Sequence, residues 1–258
     1  MSEHKEETAR FIHAYEQPDG GFSFSQSTPS TLEDTFYAVT TLQALGERTT
    51  NHQIKDFLSS IPLTPDTSPR HLWMLARLGA SLQLRRLTKI AADTAILRAR
   101  HPQPSESIVY LLLTLEATGK TASLTPIKPR KEMLLSTPDS VSNAVEHIVL
   151  HHLTGNPLKK AQYATYLVTA QNPDGGFGPL PKTTSFIEYT HLALLGLSLL
   201  GRRSRKTKQC EQFVHLCRST DGGYGRQIDA LPTIEATYCA VQILLNLSKH
   251  HQNHLNLL

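Results

Sequence analysis

The sequence predicts an all-α protein built from repeated pairs of helices. Apolar residues recur at helical spacing along the chain, and alternation with a period of two is not sustained anywhere. An Asp-Gly-Gly-aromatic turn also occurs three times, within residues 18–22, 173–177 and 220–224. A pair of helices cannot bury its apolar face alone, so such repeats must stack on their neighbours.

Each repeated block extends well beyond its glycine turn. A glutamate stands fourteen residues after each turn aspartate, and a threonine, a ring-bearing residue and an alanine follow it at fixed spacing. The aligned residues are Glu33, Thr35, Phe36 and Ala38, then Glu188, Thr190, His191 and Ala193, then Glu235, Thr237, Tyr238 and Ala240. Agreement over this length predicts that each turn leads into an equivalent helix.

Glycines that follow apolar helical stretches predict where helices end. Glycine is favoured just after a helix because it readily adopts the left-handed backbone conformation that closes the last turn. The predicted ends are Gly46, Gly79, Gly119, Gly155 and Gly201, with a last one near Ser248. The intervals predict about six helical hairpins, which can close into a barrel, and we expect residues 1–258 to form a single domain.

Composition narrows the class of protein. The chain has 258 residues, 39% of them hydrophobic and 19% charged, which indicates a soluble globular protein. No apolar run approaches the roughly 18 residues that a transmembrane helix needs. A net charge of +4 is far from a nucleic-acid-binding signature, so we expect no nucleic-acid partner. Three cysteines without a CxxC pair favour reduced thiols and a cytoplasmic location.

The second block, from Gln171 to Phe177, reads Gln-Asn-Pro-Asp-Gly-Gly-Phe and leads into an Ala/Leu-rich helix. This pattern resembles the repeat of prenyltransferase β-subunits and squalene-hopene cyclases, strongly in three repeats and weakly in three. The resemblance implies an α/α toroid whose inner helices surround a cavity that holds isoprenoid chains. It further implies a prenyltransferase or terpene cyclase-like enzyme that acts on a prenyl diphosphate or a small terpenoid.

The resemblance also raises the possibility of zinc. Protein prenyltransferases of that family hold zinc with an Asp-x-Cys-Tyr and an Asp-x-Tyr-His sequence, whose counterparts here span residues 235–238 and 188–191. Thr237 stands where the first sequence needs its cysteine, and the two sequences occur in reversed order. We therefore expect no cofactor, and if zinc binds, His191 is the candidate ligand.

The family's chemistry suggests which residues act on a substrate. The cyclases use an Asp-x-Asp-Asp acid and an aromatic lining that stabilises carbocations. This chain has no such acid motif, and its nearest equivalent is Glu33-Asp34. With 7% aromatic residues and one tryptophan, a large triterpene substrate is not expected. The candidate acid or base residues are Glu33, Asp34, Glu188, His191 and Glu235.

A substrate-binding set follows from the same resemblance. Arg226 comes after the last glycine turn and resembles the arginine that contacts diphosphate in prenyltransferases. The N-termini of the inner helices offer free N–H groups for the diphosphate oxygens. Phe36, Tyr189 and Tyr238 are the candidates for the lining of the chain pocket.

Structural explanations compete with these functional ones. Residues 30–33 and 185–188 fit capping boxes, in which a glutamate at the third helical position returns to the N-cap. The Asp-Gly-Gly sequences fit turn chemistry, and His191 can line a wall without binding a metal. Two other functions also stay open: a non-catalytic toroid that binds a protein or lipid, and a prenyltransferase β-subunit that needs an α-subunit partner.

Overall fold

A computed structural model describes residues 2–49, 52–64, 66–99, 101, 105–120, 137–155 and 157–248. The helices, in chain order, are α1 (Ser2–His13), α2 (Leu32–Leu45), α3 (His52–Ser60), α4 (Pro69–Ser81), α5 (Arg85–Arg98), α6 (Ser105–Ala117), α7 (Val141–Thr154), α8 (Lys160–Ala170), α9 (Ile187–Leu199), α10 (Thr207–Leu216) and α11 (Ile234–Ser248). Two short strands, β1 (Tyr224–Gly225) and β2 (Pro232–Thr233), pair antiparallel. The predicted all-α fold is confirmed, and within the described residues no helix has the length and apolar character needed to cross a bilayer.

The chain divides into two compact units. Unit 1 comprises Met1–Phe11 and Arg130–Leu258, and unit 2 comprises Ile12–Pro129. In unit 2, α4 packs against α2 and α6, and α5 packs against α4 and α6. In unit 1, α9 packs in the same way between α7 and α11, with α8 and α10 against this layer. Alternate helices therefore form one layer in each unit, as expected for stacked helical hairpins.

The three glycine turns share one hydrogen-bonding pattern. The aspartate side chain accepts a hydrogen bond from the N–H of the second glycine, and the first glycine has a φ between 84° and 93°. The donor–acceptor pairs are Gly21 to Asp19 at 2.9 Å, Gly176 to Asp174 at 2.9 Å, and Gly223 to Asp221 at 3.1 Å. A positive φ is accessible to glycine at little cost, which explains the first glycine of each turn.

The repeated threonines tie each turn to the helix that follows it. The N–H of the residue after the glycine pair donates to a buried threonine hydroxyl thirteen residues later. The pairs are Phe22 to Thr35 at 2.9 Å, Phe177 to Thr190 at 2.9 Å, and Tyr224 to Thr237 at 3.0 Å. Because a buried N–H without a partner is costly, these bonds fix the position of the turn against the helix start.

Each glycine turn also packs against a further helix of its own unit. For the third turn this helix is α1, at the start of the chain. A Cβ atom at the first glycine would overlap the backbone of Gln53 in α3, of Cys210 in α10, or of Glu7 in α1. Thr8 donates to the Gly222 carbonyl at 2.9 Å, which adds a hydrogen bond to the third contact. Helix α1 therefore takes the place in the last repeat that α3 and α10 take in the first two.

Replacing Gly175 with alanine should destabilise the protein far more than the same change at Gly201. Both glycines have a positive φ, so either substitution introduces left-handed strain of about 1–2 kcal/mol. A Cβ at Gly175 would also collide with the backbone of Cys210, whereas nothing lies within 4 Å of one at Gly201. We expect Gly175→Ala to cost about 4 kcal/mol or more, in the range of severe core mutations. Equal urea midpoints for the two variants would contradict this packing.

One predicted helix end is wrong. Gly46, Gly119, Gly155 and Gly201 adopt a positive φ at or just after helix ends, as predicted. Gly79 instead lies inside α4, which continues to Ser81. A Cβ at Gly79 would lie 2.7 Å from the Thr88 hydroxyl oxygen, so this glycine permits α5 to approach closely.

The capping boxes predicted at residues 30–33 and 185–188 are also wrong, each by one residue. The N-cap of α2 is Thr31, whose hydroxyl accepts from the Asp34 N–H at 3.0 Å. The N-cap of α9 is Phe186, which makes no side-chain capping bond. The serines Ser30 and Ser185 instead donate to the turn aspartates, at 2.6 and 2.9 Å. As a result, Glu33 and Glu188 occupy the second helical position rather than the third, and neither closes a capping box.

Candidate functional site

The predicted site residues lie in both units, where all but Asp34 form two clusters with neighbours that were not predicted. The group in unit 1, called the Glu188 cluster, consists of Phe186, Glu188, Tyr189, His191, Arg226, Glu235 and Tyr238. The group in unit 2, called the Trp73 cluster, consists of Glu33, Phe36, Tyr37, Arg70, Trp73 and Tyr110. Both clusters lie at the N-terminal ends of neighbouring helices, because the repeat places a charged residue at the second helical position and a ring one turn later.

Helices α9 and α11 build the Glu188 cluster. Glu188 and Glu235 are the second residues of these helices, and His191 and Tyr238 follow three residues later. Because residues three apart share a helix face, each carboxylate lies above a ring. The rings of His191 and Tyr238 meet edge to face, with centroids 5.7 Å apart. The packing of α9 on α11 therefore brings two repeats together at one site.

Glu188 has an unsatisfied carboxylate oxygen. Its Oε1 atom lies 3.6 Å from Arg226 Nε, and its Oε2 atom is buried without a hydrogen-bond partner among the described residues. Burial raises the pKa of Glu188 above its usual range. The negative charge of Glu235 acts in the same direction, while the backbone N–H of Glu188 and the charge of Arg226 oppose it. This carboxyl group is suited to holding and releasing a proton.

Arg226 is held beside the Glu188 carboxylate by two contacts. Its guanidinium carbon lies 4.4 Å from the centroid of the Phe186 ring, a cation–π arrangement. Its backbone carbonyl accepts a hydrogen bond of 2.8 Å from the Ile187 N–H at the start of α9. The side chain is 56% exposed, so the cation remains accessible to an anionic group from solvent.

His191 is held as a neutral ring. Burial lowers its pKa to about 4, because desolvation disfavours the imidazolium. At neutral pH the ring therefore carries no charge, and it can donate one hydrogen bond and accept another. The neutral ring can form part of a polar, uncharged surface beside Tyr238. It does not supply a positive charge that would bind a diphosphate.

The Trp73 cluster contains a run of three rings on α2, α4 and α6. The Phe36 and Trp73 centroids are 5.0 Å apart, and the Trp73 and Tyr110 centroids are 5.6 Å apart. Arg70, one turn before Trp73, donates to Glu33 at 3.0 Å and to the Tyr37 hydroxyl at 2.5 Å. The three rings therefore form an aromatic surface beside a polar network, in which the charge of Arg70 is paired with that of Glu33.

Asp34 has a structural role at the start of α2. Its carboxylate accepts from the Thr31 hydroxyl at 2.8 Å and from the Phe24 N–H at 3.2 Å. Its own N–H completes the reciprocal contact with Thr31. The proposed acid function of Asp34 stays a prediction, and its carboxylate is already engaged in holding the helix start.

Comparison with known families identifies the repeat. A family model described as the prenyltransferase alpha-alpha toroid domain matches residues 1–71 and 142–258, which include all three glycine turns and the whole Glu188 cluster. This chain belongs to that family. Membership establishes the α/α toroid as the fold class, and a fold alone does not specify a reaction. A search of curated proteins gave no match.

Solved structures also match this chain. Among those that match is the structure titled Candida albicans protein geranylgeranyltransferase-I complexed with GGPP. It shares 11% sequence identity with this prenyltransferase-family chain, with a TM-score of 0.44, and the match covers 85% of this chain and 92% of that one. Similarity this distant gives no information about activity.

The zinc set of protein prenyltransferases does not fit the described residues. The hydroxyl of Thr237, at the cysteine position, is buried and accepts the Tyr224 N–H, so it serves the turn. Within the ranges that the structure describes, no three His, Cys, Asp or Glu side chains gather in a way that could hold a metal ion. His191 has Tyr238 beside it instead. The described residues therefore offer no set of ligands that fits zinc.

Arg70, Trp73 and Tyr110 were not among the residues predicted from the sequence. These residues lie in the region between the strong repeats, which has no Asp-Gly-Gly turn to align. A signal was nevertheless present, because Phe36, Trp73 and Tyr110 follow one another at equal intervals of 37 residues. The spacing of the rings, unlike the glycine turns, therefore extends into the weak repeats.

Proposed function

We propose that this member of the prenyltransferase family is an enzyme that binds an isoprenoid, either a prenyl diphosphate or a small terpenoid, and transfers a proton through Glu188. The observation that carries the proposal is the buried, unpartnered Oε2 atom of Glu188 beside an accessible cation and a set of rings. Unsatisfied buried polar atoms are rare and costly, and they concentrate at functional sites.

The rings supply the apolar part of the site. Phe186 and Tyr189 have centroids 6.3 Å apart, and Tyr238 lies against the neutral His191. Such a surface suits an isoprenoid chain, and ring faces stabilise positive charge that develops on carbon. These contacts support a binding role for Tyr189 and Tyr238 in the chain pocket. Phe36 lies in unit 2, and its role in a chain pocket stays a prediction.

The charges couple anion binding to the protonation of Glu188. Arg226 Nε lies 3.6 Å from the Glu188 carboxylate and its side chain is 56% exposed, so a diphosphate that binds Arg226 competes with that carboxylate. A bound anion also disfavours the ionised form of Glu188, and Glu235 adds to this effect. Diphosphate binding therefore favours the protonated acid, which is the form that can donate to an alkene or a leaving oxygen.

Ligand-dependent stabilisation tests the proposal. We expect geranyl, farnesyl and geranylgeranyl diphosphate to raise the melting temperature in a chain-length-dependent manner, because a ligand of the folded state stabilises it. Arg226→Ala should weaken diphosphate binding at least about tenfold, since a charged hydrogen bond contributes about 1.5–3 kcal/mol. Arg202→Ala removes an exposed cation in a loop of the same unit and should leave the affinity unchanged.

Three outcomes separate the candidate functions. Binding with turnover by the isolated chain supports the enzyme. Binding without turnover supports a prenyltransferase β-subunit that needs an α-subunit partner to supply missing groups. No stabilisation by any isoprenoid supports a non-catalytic scaffold and contradicts the proposal.

A further inference from the structure

A cavity of about 520 Å³ lies in unit 2, outside the Trp73 cluster. It opens between the C-terminal ends of α4 and α6 and the start of α5. Its polar lining residues are Gln83, Arg85, Thr88, Lys89, Thr118 and Lys120. Arg70 of the Trp73 cluster lies nine residues before Gly79 of the cavity floor, which is about 14 Å along α4. The cavity and the cluster therefore occupy opposite ends of the same helix.

The charged side chains that line the cavity are all basic: Arg85, Lys89 and Lys120. Lys120 Nζ donates to the Asp93 carboxylate at 2.8 Å, and the charge of Lys89 also acts on Asp93. The side chains of Arg85 and Lys89 make no hydrogen bond or salt bridge with the described residues. Three cations against the single carboxylate of Asp93 leave a net charge of +2 at the cavity, which suits a dianion.

The helix ends around the cavity do not use these cations. Basic side chains near a helix C-terminus often bind its last carbonyl groups. Here backbone N–H groups already do so, since the Leu84 N–H donates to the Gly79 carbonyl at 2.7 Å and the Lys120 N–H donates to the Leu115 carbonyl at 2.8 Å. The two basic side chains without a partner are therefore available to a ligand.

We propose that this cavity binds the phosphate group of a phosphomonoester. Such a group carries nearly two negative charges at neutral pH and presents three terminal oxygens. The planar guanidinium of Arg85 can engage two of these oxygens, while Lys89 and Lys120 act as point charges. A soluble phosphorylated metabolite and the headgroup of phosphatidic acid offer the same chemistry. The inference is independent of the isoprenoid site, whose candidate cation for diphosphate, Arg226, belongs to unit 1.

Two sets of probes test the proposal and distinguish its possible sources. Glycerol phosphate and glycerol differ only in the phosphate group, and calorimetric titration at low ionic strength should detect binding of the first alone. Vesicles of phosphatidylcholine, alone or with phosphatidylserine or phosphatidic acid, test a membrane source by flotation. A site for phosphomonoesters should favour phosphatidic acid over the equally anionic surface that phosphatidylserine provides.

Variants of the cations localise the binding. Arg85→Ala and Lys89→Ala should each weaken binding of glycerol phosphate about three- to tenfold, because each removes one charged contact that is partly exposed to solvent. Arg86→Ala is the matched control, since it removes an exposed cation of the same helix that does not line the cavity. Its affinity should stay within about twofold of the wild type, and so should that of Arg226→Ala.

Each outcome has a defined meaning. Binding of glycerol phosphate that falls in Arg85→Ala but not in Arg86→Ala supports the site with a soluble ligand. Vesicle binding that requires phosphatidic acid and falls in the same variant supports it with a lipid headgroup. Absence of both kinds of binding, or equal losses in Arg85→Ala and Arg86→Ala, overturns the inference and leaves the isoprenoid site standing. Failure of prenyl diphosphates to bind overturns the proposed function and leaves this inference standing.

Discussion

Replacing Glu188 with glutamine is expected to remove turnover of the isoprenoid substrate while making the folded protein more stable at neutral pH. Glutamine keeps the shape of the side chain but cannot transfer a proton, and a positioned acid or base typically contributes about 10²–10⁴-fold to the rate. The gain in stability has a separate cause. Burial raises the folded-state pKa of Glu188, so the ionised carboxylate destabilises the folded wild-type protein at neutral pH. The glutamine variant carries no charge at this position and avoids that loss of stability.

The pH dependence of this difference has a defined sign. A carboxyl group with a raised folded-state pKa makes the wild type lose stability as the pH rises from the unfolded-state value of 4.5 through the higher folded-state value. Below that window both proteins carry a neutral side chain at position 188, and the difference between them should vanish. Urea unfolding at several pH values, with kcat measured on the same samples, checks both effects.

Glu33 provides the matched control, since it occupies the same place in the first repeat. Its carboxylate pairs with Arg70 at 3.0 Å, and both side chains are more than one third exposed. Glu33→Gln is therefore expected to leave stability unchanged or lower it by less than about 1 kcal/mol. A variant at Glu188 that keeps full turnover, or one that is destabilised at neutral pH, would falsify the acid assignment.

Phe11→Ala is expected to destabilise unit 1 by about 3–5 kcal/mol, the usual cost of removing a buried phenylalanine. Phe11 is 4% exposed and lies in α1, the helix on which the third glycine turn rests. Its ring comes so close to Gly223 that a Cβ there would lie 2.5 Å from a ring carbon. Loss of the ring removes the packing that holds the start of the chain to the last repeat. Chemical denaturation measures the change in unfolding free energy.

Phe24→Ala is the appropriate comparison, because this phenylalanine is 65% exposed in the loop after the first turn. Its loss should change stability by no more than about 0.5 kcal/mol. If the two variants unfold at the same denaturant concentration, the docking of α1 on the third turn is contradicted. Faster proteolysis near residues 219–223 in Phe11→Ala would show directly that the turn has lost its support.

Features that depend on local backbone chemistry could be predicted from the sequence. The three Asp-Gly-Gly turns form as expected, because an aspartate close to a flexible glycine favours the same turn wherever it occurs. Four of the five helix ends predicted from glycines are confirmed for the same reason, and helical periodicity predicted the all-α class. The family resemblance rested on these local signals, and the match to the toroid family confirms it.

Features that depend on distant neighbours could not be predicted in this way. Ser30 has the spacing of an N-cap, yet it donates to Asp19, because the folded turn brings that carboxylate within 2.6 Å. Gly79 looks like a helix end, yet it is a packing position against Thr88. In both cases a contact formed by the folded chain outweighed a local preference.

The candidate sites show the same division. The sequence determined which residue types recur at each helix start, and so it identified Glu188 and His191 as candidates, whereas Arg226 came from the family resemblance. Only the tertiary structure decided that Glu188 keeps an unpaired oxygen while Glu33 is neutralised by Arg70, and that Trp73, in the aromatic surface, has an N–H without a partner among the described residues. The reason is physical: burial and pairing are set by which helices pack together, and the same repeat sequence meets different neighbours at each position.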